Sequence, residues 1–234
     1  MDDFSDLTVI IPTLNEKENV PKLASMLLKR YGGVRIVVSD DGSTDGTKAA
    51  VEKLIRSSKN RVKFLDRAHK SVHGLTASVL DAALLVNTKY IVVMDGDMQH
   101  PFEKVGEIAR ALEGNDLVIA SRIKVKEWGI GRRVMSKCMS VFVYTVFKLR
   151  GRRTCSDMMT GFFGINTKLF KSLITKNRKS FVYDGYKVLL DTLRLVEPDT
   201  KIKEVYYDTF HIRKHGKSKL GMNQIVNTIR STLM

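Results

Sequence analysis

Two aspartates separated by one glycine are the clearest chemical signal in this sequence. Asp95 and Asp97 follow YIVVM, a continuous apolar run that is typical of a buried strand. Two carboxylates at positions i and i+2 can hold a divalent cation, and such an ion neutralises a departing diphosphate. Gln99 adds a neutral oxygen two residues later. Short acidic pairs also occur in solvated turns, but the strand before this one favours a functional site.

Polar residues also follow two other apolar runs. Asp40 and Asp41 come after VRIVVS, and a carboxylate there can accept hydrogen bonds from the N–H groups of a nucleobase. The same stretch, with Gly42 and Ser43, also suits a turn and helix cap, so alone it favours neither interpretation. Residues 12–16, which follow the first strand, are equally compatible with a ligand contact and with a capped helix start, in which Asn15 is the cap.

The apolar pattern of the first half predicts alternating strands and helices that would position these residues. Strands are expected at 7–11, 34–39, 62–65, 90–94 and 116–120, and helices at 15–31, 48–57, 75–86 and 103–113. Repeated β-α units predict an α/β fold, a mostly parallel, doubly wound sheet flanked by helices. Ligands of such sheets bind at the carboxyl ends of the strands, where the acidic motifs fall.

The second half is less regular and strongly basic. Residues 1–121 carry 16 basic and 17 acidic side chains, whereas residues 122–234 carry 24 and 8, for a net charge of +15. Such an excess indicates an anionic partner: phosphates, nucleic acid or a lipid surface. Helices are expected at 136–149, 167–174, 184–195 and 223–233, strands at 161–165 and 202–205, and a basic loop at 211–219. We expect a single domain, 1–234, whose second half is a basic C-terminal extension.

Composition excludes several classes of protein. Two cysteines, Cys138 and Cys155, cannot form a disulfide framework and have no metal-site spacing, which favours a reducing compartment. The acidic N-terminus has no apolar run and does not resemble a secretory signal. No stretch approaches the roughly 20 apolar residues that cross a bilayer. The apolar stretch 139–147, flanked by Lys137 and Lys148, predicts an amphipathic helix that could lie on a membrane surface.

Three motifs, IIPTLNE, VVSDDGSTDGT and VVMDGDMQHP, resemble in order and spacing those of the family-2 glycosyltransferases of the GT-A fold. Four more extend the resemblance to the dolichol-phosphate mannose synthases and related polyprenyl-phosphate glycosyltransferases. They are SR at 121–122, GRRVMS at 131–136, SDMMTGFF at 156–163 and RKHGKSKLG at 213–221. The resemblance covers residues 7–222. It implies a nucleotide-sugar half at about 7–121, an acceptor half at about 122–222, and a C-terminal helix at 223–234.

The resemblance also implies a role for each matching residue. Contacts to the nucleobase and ribose fall to Pro12, Leu14, Glu16, Ser39 and Asp41. The diphosphate and sugar would meet Asp95, Gly96 and Asp97, with Asp97 and Gln99 as ligands of Mg²⁺ or Mn²⁺. The donor phosphates would be bound by Arg122, Arg213 and Lys219, and the acceptor phosphate by Arg132 and Ser136. The expected catalytic group is Asp95, Asp97, Arg132 and Ser136. The family usually has Tyr at Leu14 and Ala at Gly96, so Leu14 offers the base no aromatic ring.

The resemblance implies a metal-dependent inverting transfer of mannose from GDP-mannose to dolichyl or another polyprenyl phosphate. A lipid phosphate is already anionic at neutral pH, so it needs positive charge rather than a general base. A UDP-sugar such as UDP-glucose is an alternative donor. A basic nucleic-acid-binding module is the non-enzymatic alternative, but aromatic residues make up only 8% and acidic motifs stand at the expected ligand edge. We therefore expect no nucleic-acid partner.

The expected location is peripheral, at the cytoplasmic face of a membrane, with no transmembrane helix in this chain. Related enzymes often carry C-terminal membrane helices. A membrane-anchoring subunit is therefore a possible partner.

Overall fold

A seven-stranded sheet runs through the part of the chain that the computed structural model describes: residues 3–123, 130–185, 187–208 and 222–234, without the side chains of 130–134 and 222–224. The strands are β1 Leu7–Thr13, β2 Arg35–Asp40, β3 Val62–Asp66, β4 Tyr90–Val93, β5 Leu117–Arg122, β6 Phe163–Asn166 and β7 Ile202–Tyr207. The helices are α1 Val20–Arg30, α2 Thr47–Ser57, α3 Leu75–Leu85, α4 Val105–Ala111, α5 Ile130–Leu149, α6 Thr167–Lys176, α7 Val188–Leu195 and α8 Met222–Leu233.

The strand order is β3-β2-β1-β4-β6-β5-β7. The pairs β1–β2, β1–β4, β2–β3 and β5–β7 are parallel, whereas β6 runs antiparallel to both β4 and β5. The predicted α/β fold with a mostly parallel sheet is confirmed, and β6 is the exception within it.

Apolar side chains bury both faces of this sheet, which explains why its central strands are apolar without alternation. In β1, Val9 and Ile11 belong to one buried cluster, together with Leu23 and Leu27 of α1. Ile10 between them belongs to the other cluster, which includes residues of α3, α5, α6 and α7. The predicted arrangement of helices on both sheet faces is confirmed.

Three predicted helix starts were wrong: α5 begins at Ile130 rather than at residue 136, and tertiary hydrogen bonds compete for the other two. Asn15 does not cap a helix: it has a φ of 54°, and α1 begins at Val20. Its N–H donates to Ser43 Oγ at 2.7 Å and its side-chain oxygen accepts from Thr44 N–H at 2.8 Å, so it joins the two loops at the sheet edge.

The helix predicted from residue 184 begins at Val188. The carbonyls of Tyr183 and Gly185 instead accept from the N–H groups of Ala77 and Thr76 in the first turn of α3.

In the part of the chain that the structure describes, no helix has the length and apolar character required to cross a membrane.

Candidate active site

The carboxyl ends of β1 and β2 form one side of the candidate site. Asp40, the last residue of β2, is occupied by its own turn: one carboxylate oxygen accepts from Ser43 N–H at 2.8 Å and the other from Ser43 Oγ at 2.5 Å. Asp41 follows, and its N–H donates to the carbonyl of Thr13 at 2.9 Å. The carboxylate of Asp40 is thus used within its own turn, whereas Asp41 is tied through its backbone to the end of β1.

Asp41 is surrounded by donors that the sequence motifs do not include. The guanidinium of Arg67 forms an ion pair with it, His73 Nδ1 lies 3.1 Å from Oδ1, and Gly74 N–H donates to Oδ2 at 2.7 Å. Arg67 is fully buried and also bonds to Asp81 at 3.0 Å. Arg67 directly follows β3 in the sequence, and this position already indicates that it lies at the ligand edge of the sheet.

The other residues predicted to contact the base and ribose lie at the same edge. Pro12 and Ser39 are register partners in β1 and β2. Ser39 is buried and donates its hydroxyl to the carbonyl of Ser78 in α3 at 2.8 Å, so that hydroxyl binds the protein itself. Glu16 accepts from Asn19 Nδ2 at 2.7 Å, and Leu14 is exposed. The structure brings these residues together with Asp41.

The acidic turn after β4 is tightly packed. A Cβ at Gly96 would lie 2.8 Å from a methyl of Val20 and 3.2 Å from one of Ile11, so the backbone passes close to α1 and β1. Asp97 is buried, and its Oδ1 accepts from Gln99 N–H at 3.1 Å. The turn therefore allows little room for a larger residue than glycine at position 96.

Asp95 is held by a histidine to which the sequence motifs gave no role. His100 is buried; its Nε2 lies 3.3 Å from Asp95 Oδ2 and its Nδ1 lies 2.9 Å from the hydroxyl of Tyr207 at the end of β7. Burial raises the pKa of Asp95, but the hydrogen bond and charge of His100, with the charges of Lys187 and Arg122, outweigh it and hold that pKa below its ordinary value. Asp95 is therefore a weak base.

Arg122, the last residue of β5, faces a carboxylate from the turn before β6. Its Nε and Nη2 bind the two carboxylate oxygens of Asp157 at 2.5 and 2.9 Å. Burial raises the pKa of Asp157, but the hydrogen bonds and charge of Arg122 outweigh burial and hold that pKa below its ordinary value. Lys187 donates to the carbonyl of Met159 in the same turn. Asp157 and Lys187 were not predicted as site residues, since both lie far from Arg122 in sequence.

The donor set fits a hard divalent cation. Carboxylate oxygens of Asp95 and Asp97 and the amide oxygen of Gln99 are the types of ligand that Mg²⁺ and Mn²⁺ prefer. Within the described ranges, no cluster of three or more His, Cys, Asp or Glu side chains could hold a metal alone. A cation here would therefore complete its coordination with substrate phosphates and water, as Mg²⁺ commonly does.

The residues of the second half that were predicted to bind the donor and acceptor phosphates are only partly described. Arg213 and Lys219 lie outside the described residues, and Arg132 is described in its backbone alone, within α5. Ser136 lies on α5 and is half-buried. Beside the next turns of α5, a groove of about 510 Å³ is lined by Lys137, Ser140, Tyr144, Ser156, Met158 and Glu204, among others.

Comparison with known proteins assigns the chain to a family. The sequence model of glycosyl transferase family 2 matches residues 8–174. The dolichol-phosphate mannosyltransferase of Pyrococcus furiosus is 32% identical over 231 residues, covering 96% of this chain and 62% of that protein. The dolichol-phosphate mannosyltransferase of Saccharomyces cerevisiae is 28% identical over 239 residues, covering 96% of this chain and 85% of that protein.

A solved structure shares the fold. Glucosyl-3-phosphoglycerate synthase from Mycobacterium tuberculosis, in complex with Mn²⁺, UDP-glucose and phosphoglyceric acid, has a TM-score of 0.67 and 21% identity, covering 97% of this chain and 79% of that one. This likeness confirms the GT-A-like fold. Together with the match over most of the sequence, it confirms the predicted resemblance: the chain is a member of glycosyl transferase family 2.

Proposed function

We propose that this protein transfers mannose from GDP-mannose to the phosphate of dolichol or another polyprenol, with inversion at the sugar. The observation that carries the proposal is the geometry around Asp95: its Oδ2 lies 3.3 Å from Nε2 of the buried His100 and the turn at Gly161 packs against its carboxylate, so this group is engaged by the protein rather than free to remove a proton from a sugar hydroxyl. A phosphate acceptor needs no such base. Relatives at 32% and 28% identity are named dolichol-phosphate mannosyltransferases, which supports the same acceptor.

In the proposed reaction, Asp41 orients the nucleobase, and Arg122 binds the donor phosphates in the orientation that Asp157 gives it. An oxygen of the lipid phosphate attacks the anomeric carbon, and the bond from that carbon to the diphosphate oxygen breaks. GDP leaves with the bonding electrons, and no proton transfer is required. A divalent cation held by Asp97 and Gln99, when bound, would offset charge on the departing diphosphate.

The surface of α5 supports a membrane location for the acceptor. Large apolar side chains are exposed along this helix, at Met135, Val141, Phe142, Tyr144 and Leu149. Lys137 and Lys148 lie on either side of Val141, Phe142 and Tyr144, an arrangement that suits anionic headgroups. Both cysteines are free, as expected in a reducing compartment. We propose peripheral attachment at a cytoplasmic membrane face, with a membrane-anchoring subunit as a possible partner.

A ligand screen followed by a transfer assay tests the proposal. Binding to the native state raises the melting temperature, so GDP with Mg²⁺ or Mn²⁺ should raise it more than UDP or ADP does. Radiolabelled mannose from GDP-mannose should then appear in the lipid fraction only when polyprenyl phosphate is present. Stronger stabilisation by UDP would indicate that the donor is a UDP-sugar such as UDP-glucose rather than GDP-mannose. Stabilisation by DNA or heparin but by no nucleotide would favour the nucleic-acid alternative.

A further inference from the structure

His73 is a half-exposed histidine beside the carboxylate that is predicted to bind the nucleobase, and the sequence motifs do not include it. Its side chain is 49% exposed, whereas that of Asp41 is 10% exposed, and its Nδ1 lies 3.1 Å from Oδ1 of Asp41. A ring that contacts a nearly buried carboxylate and is itself open to solvent lies within reach of any ligand that approaches Asp41.

The backbone on both sides of His73 is held in place. The carbonyl of Val72 accepts from Nη2 of the buried Arg67 at 2.8 Å. Gly74 donates its N–H to Oδ2 of Asp41 at 2.7 Å and has a φ of 136°. A Cβ at Gly74 would lie 2.7 Å from a carbonyl oxygen of the segment before α7, so this position requires glycine. The fold therefore sets the place of His73 relative to Asp41, although the ring is exposed.

The contact with Asp41 determines which nitrogen of the neutral ring carries the proton. Asp41 forms an ion pair with the guanidinium of Arg67, and a carboxylate only accepts hydrogen bonds. Nδ1 of His73 is therefore the donor, and Nε2 of the neutral imidazole carries a lone pair. Among the described residues, Nε2 has no hydrogen-bond partner. The ring thus offers an acceptor to a ligand.

Asp41 keeps a further acceptor position of its own. A carboxylate has about four such positions. Oδ1 accepts from Arg67 and from His73, whereas Oδ2 accepts, within the part of the chain that the structure describes, only from the N–H of Gly74. Oδ2 of Asp41 and Nε2 of His73 are therefore two acceptors on side chains that contact each other.

Two neighbouring acceptors suit one of the common nucleobases. The hydrogen-bonding edge of guanine carries two adjacent donors, the ring N1–H and the exocyclic amino group. In uracil a single N–H lies between two carbonyl oxygens, and in adenine the amino group lies beside a ring nitrogen that has no hydrogen. The lone pair of an imidazole nitrogen accepts from the amino group of guanine but repels a carbonyl oxygen of uracil, which discriminates between the two bases.

We infer that His73 selects guanine: Asp41 accepts a hydrogen bond from the ring N–H of the base, and Nε2 of His73 accepts one from its exocyclic amino group. This inference rests on the proposed function, in which Asp41 orients the nucleobase of the donor. It adds a residue that follows β3 to a base site whose predicted members follow or belong to β1 and β2.

Calorimetric binding of GDP, inosine diphosphate and UDP, each with Mg²⁺ at pH 8, tests the inference. Inosine diphosphate differs from GDP only in lacking the amino group, and an ordinary imidazole is neutral at this pH. We expect the wild type to bind GDP roughly tenfold more tightly than inosine diphosphate, a size typical of one hydrogen bond. His73→Leu and His73→Phe should reduce this preference to less than about twofold, because neither side chain has an acceptor. The affinity for inosine diphosphate should be nearly unchanged.

The matched control is His69→Leu, at an exposed histidine of the same loop between β3 and α3, which should keep the wild-type preference. Circular dichroism and melting curves establish that each variant is folded. A wild-type preference for GDP in either His73 variant would overturn the inference, and so would an equal loss of affinity for GDP and inosine diphosphate. In both cases the proposed function stands. If the wild type binds no nucleoside diphosphate, or binds UDP more tightly than GDP, the proposed function and the inference fail together.

Discussion

Arg122 and Asp157 are joined by a two-point ion pair whose side chains are only 15% and 11% exposed. Removing one partner of a buried pair leaves an uncompensated charge, at a cost of about 3–5 kcal/mol. We expect Asp157→Ala to lower the free energy of unfolding in urea by about that amount. Asp66→Ala, which breaks the exposed pair between Lys48 and Asp66, is the control and should have a much smaller effect. Equal effects of the two substitutions would contradict the importance of burial.

Stability should depend on pH through the same carboxylate. Because the folded pKa of Asp157 is lowered, its contribution is present above the unfolded pKa and is lost as the pH falls through the folded one. We expect the wild type to lose stability progressively below about pH 4. Asp157→Asn, which does not titrate, should lose less over that range. Urea unfolding at pH 7, 5, 4 and 3 measures the stability of both proteins. If the free energy of unfolding falls equally with pH in the two, Asp157 does not cause the pH dependence.

The transfer activity should depend on a metal ion bound at the acidic turn after β4. Asp97→Ala is expected to abolish transfer with little loss of fold, because a carboxylate at a strand end serves the ligand rather than the apolar core. Chelator should abolish wild-type activity, and added Mg²⁺ or Mn²⁺ should restore it. A transfer assay alongside circular dichroism measures both effects. Full activity in chelator would refute the assignment of Asp97 and Gln99.

The base-binding role of Asp41 predicts a selective loss of nucleotide affinity. The loss of one such pairing costs on the order of 1–3 kcal/mol, so Asp41→Ala should weaken GDP binding roughly 5- to 150-fold. Since Asp41 also pairs with the buried Arg67, Asp41→Asn is the better-matched change, retaining shape and one acceptor. Calorimetry with GDP and UDP measures the effect. Unchanged GDP affinity in both variants would remove Asp41 from the base site.

The acceptor assignment predicts a separate effect on the lipid substrate. Arg132→Ala should raise the concentration of polyprenyl phosphate needed for transfer while leaving GDP binding nearly unchanged. Liposome flotation of the wild type should increase with anionic lipid content and decrease with salt. Phe142→Ser, at an exposed position of α5, should reduce flotation. Equal loss of GDP and acceptor affinity in Arg132→Ala, with no binding to anionic liposomes, would contradict this placement.

The strands and the acidic turn were predictable because both are local features of the sequence. Apolar runs that end at or just before Asp identify the ends of β2, β3 and β4, and parallel strands bring their ends to one edge. The partners of these residues were not predictable in the same way. His100 meets Tyr207, and Arg122 meets Asp157, only because β5, β6 and β7 assemble beside β4. Hydrogen bonds between distant segments also displaced the predicted starts of α1 and α7, since local propensity is weaker than such contacts.

The antiparallel strand β6 has a consequence for synthesis of the chain. In the described part of the chain, β4 pairs with β1 on one edge and with β6 on the other, and β5 pairs with β6 and β7. A ribosome that has released residues 1–122 has therefore left one edge of β4 and both edges of β5 without partners. Such edges are templates for aggregation until they are paired. The interval before residues 163–166 emerge is thus the stage of biogenesis at which this chain most needs a chaperone.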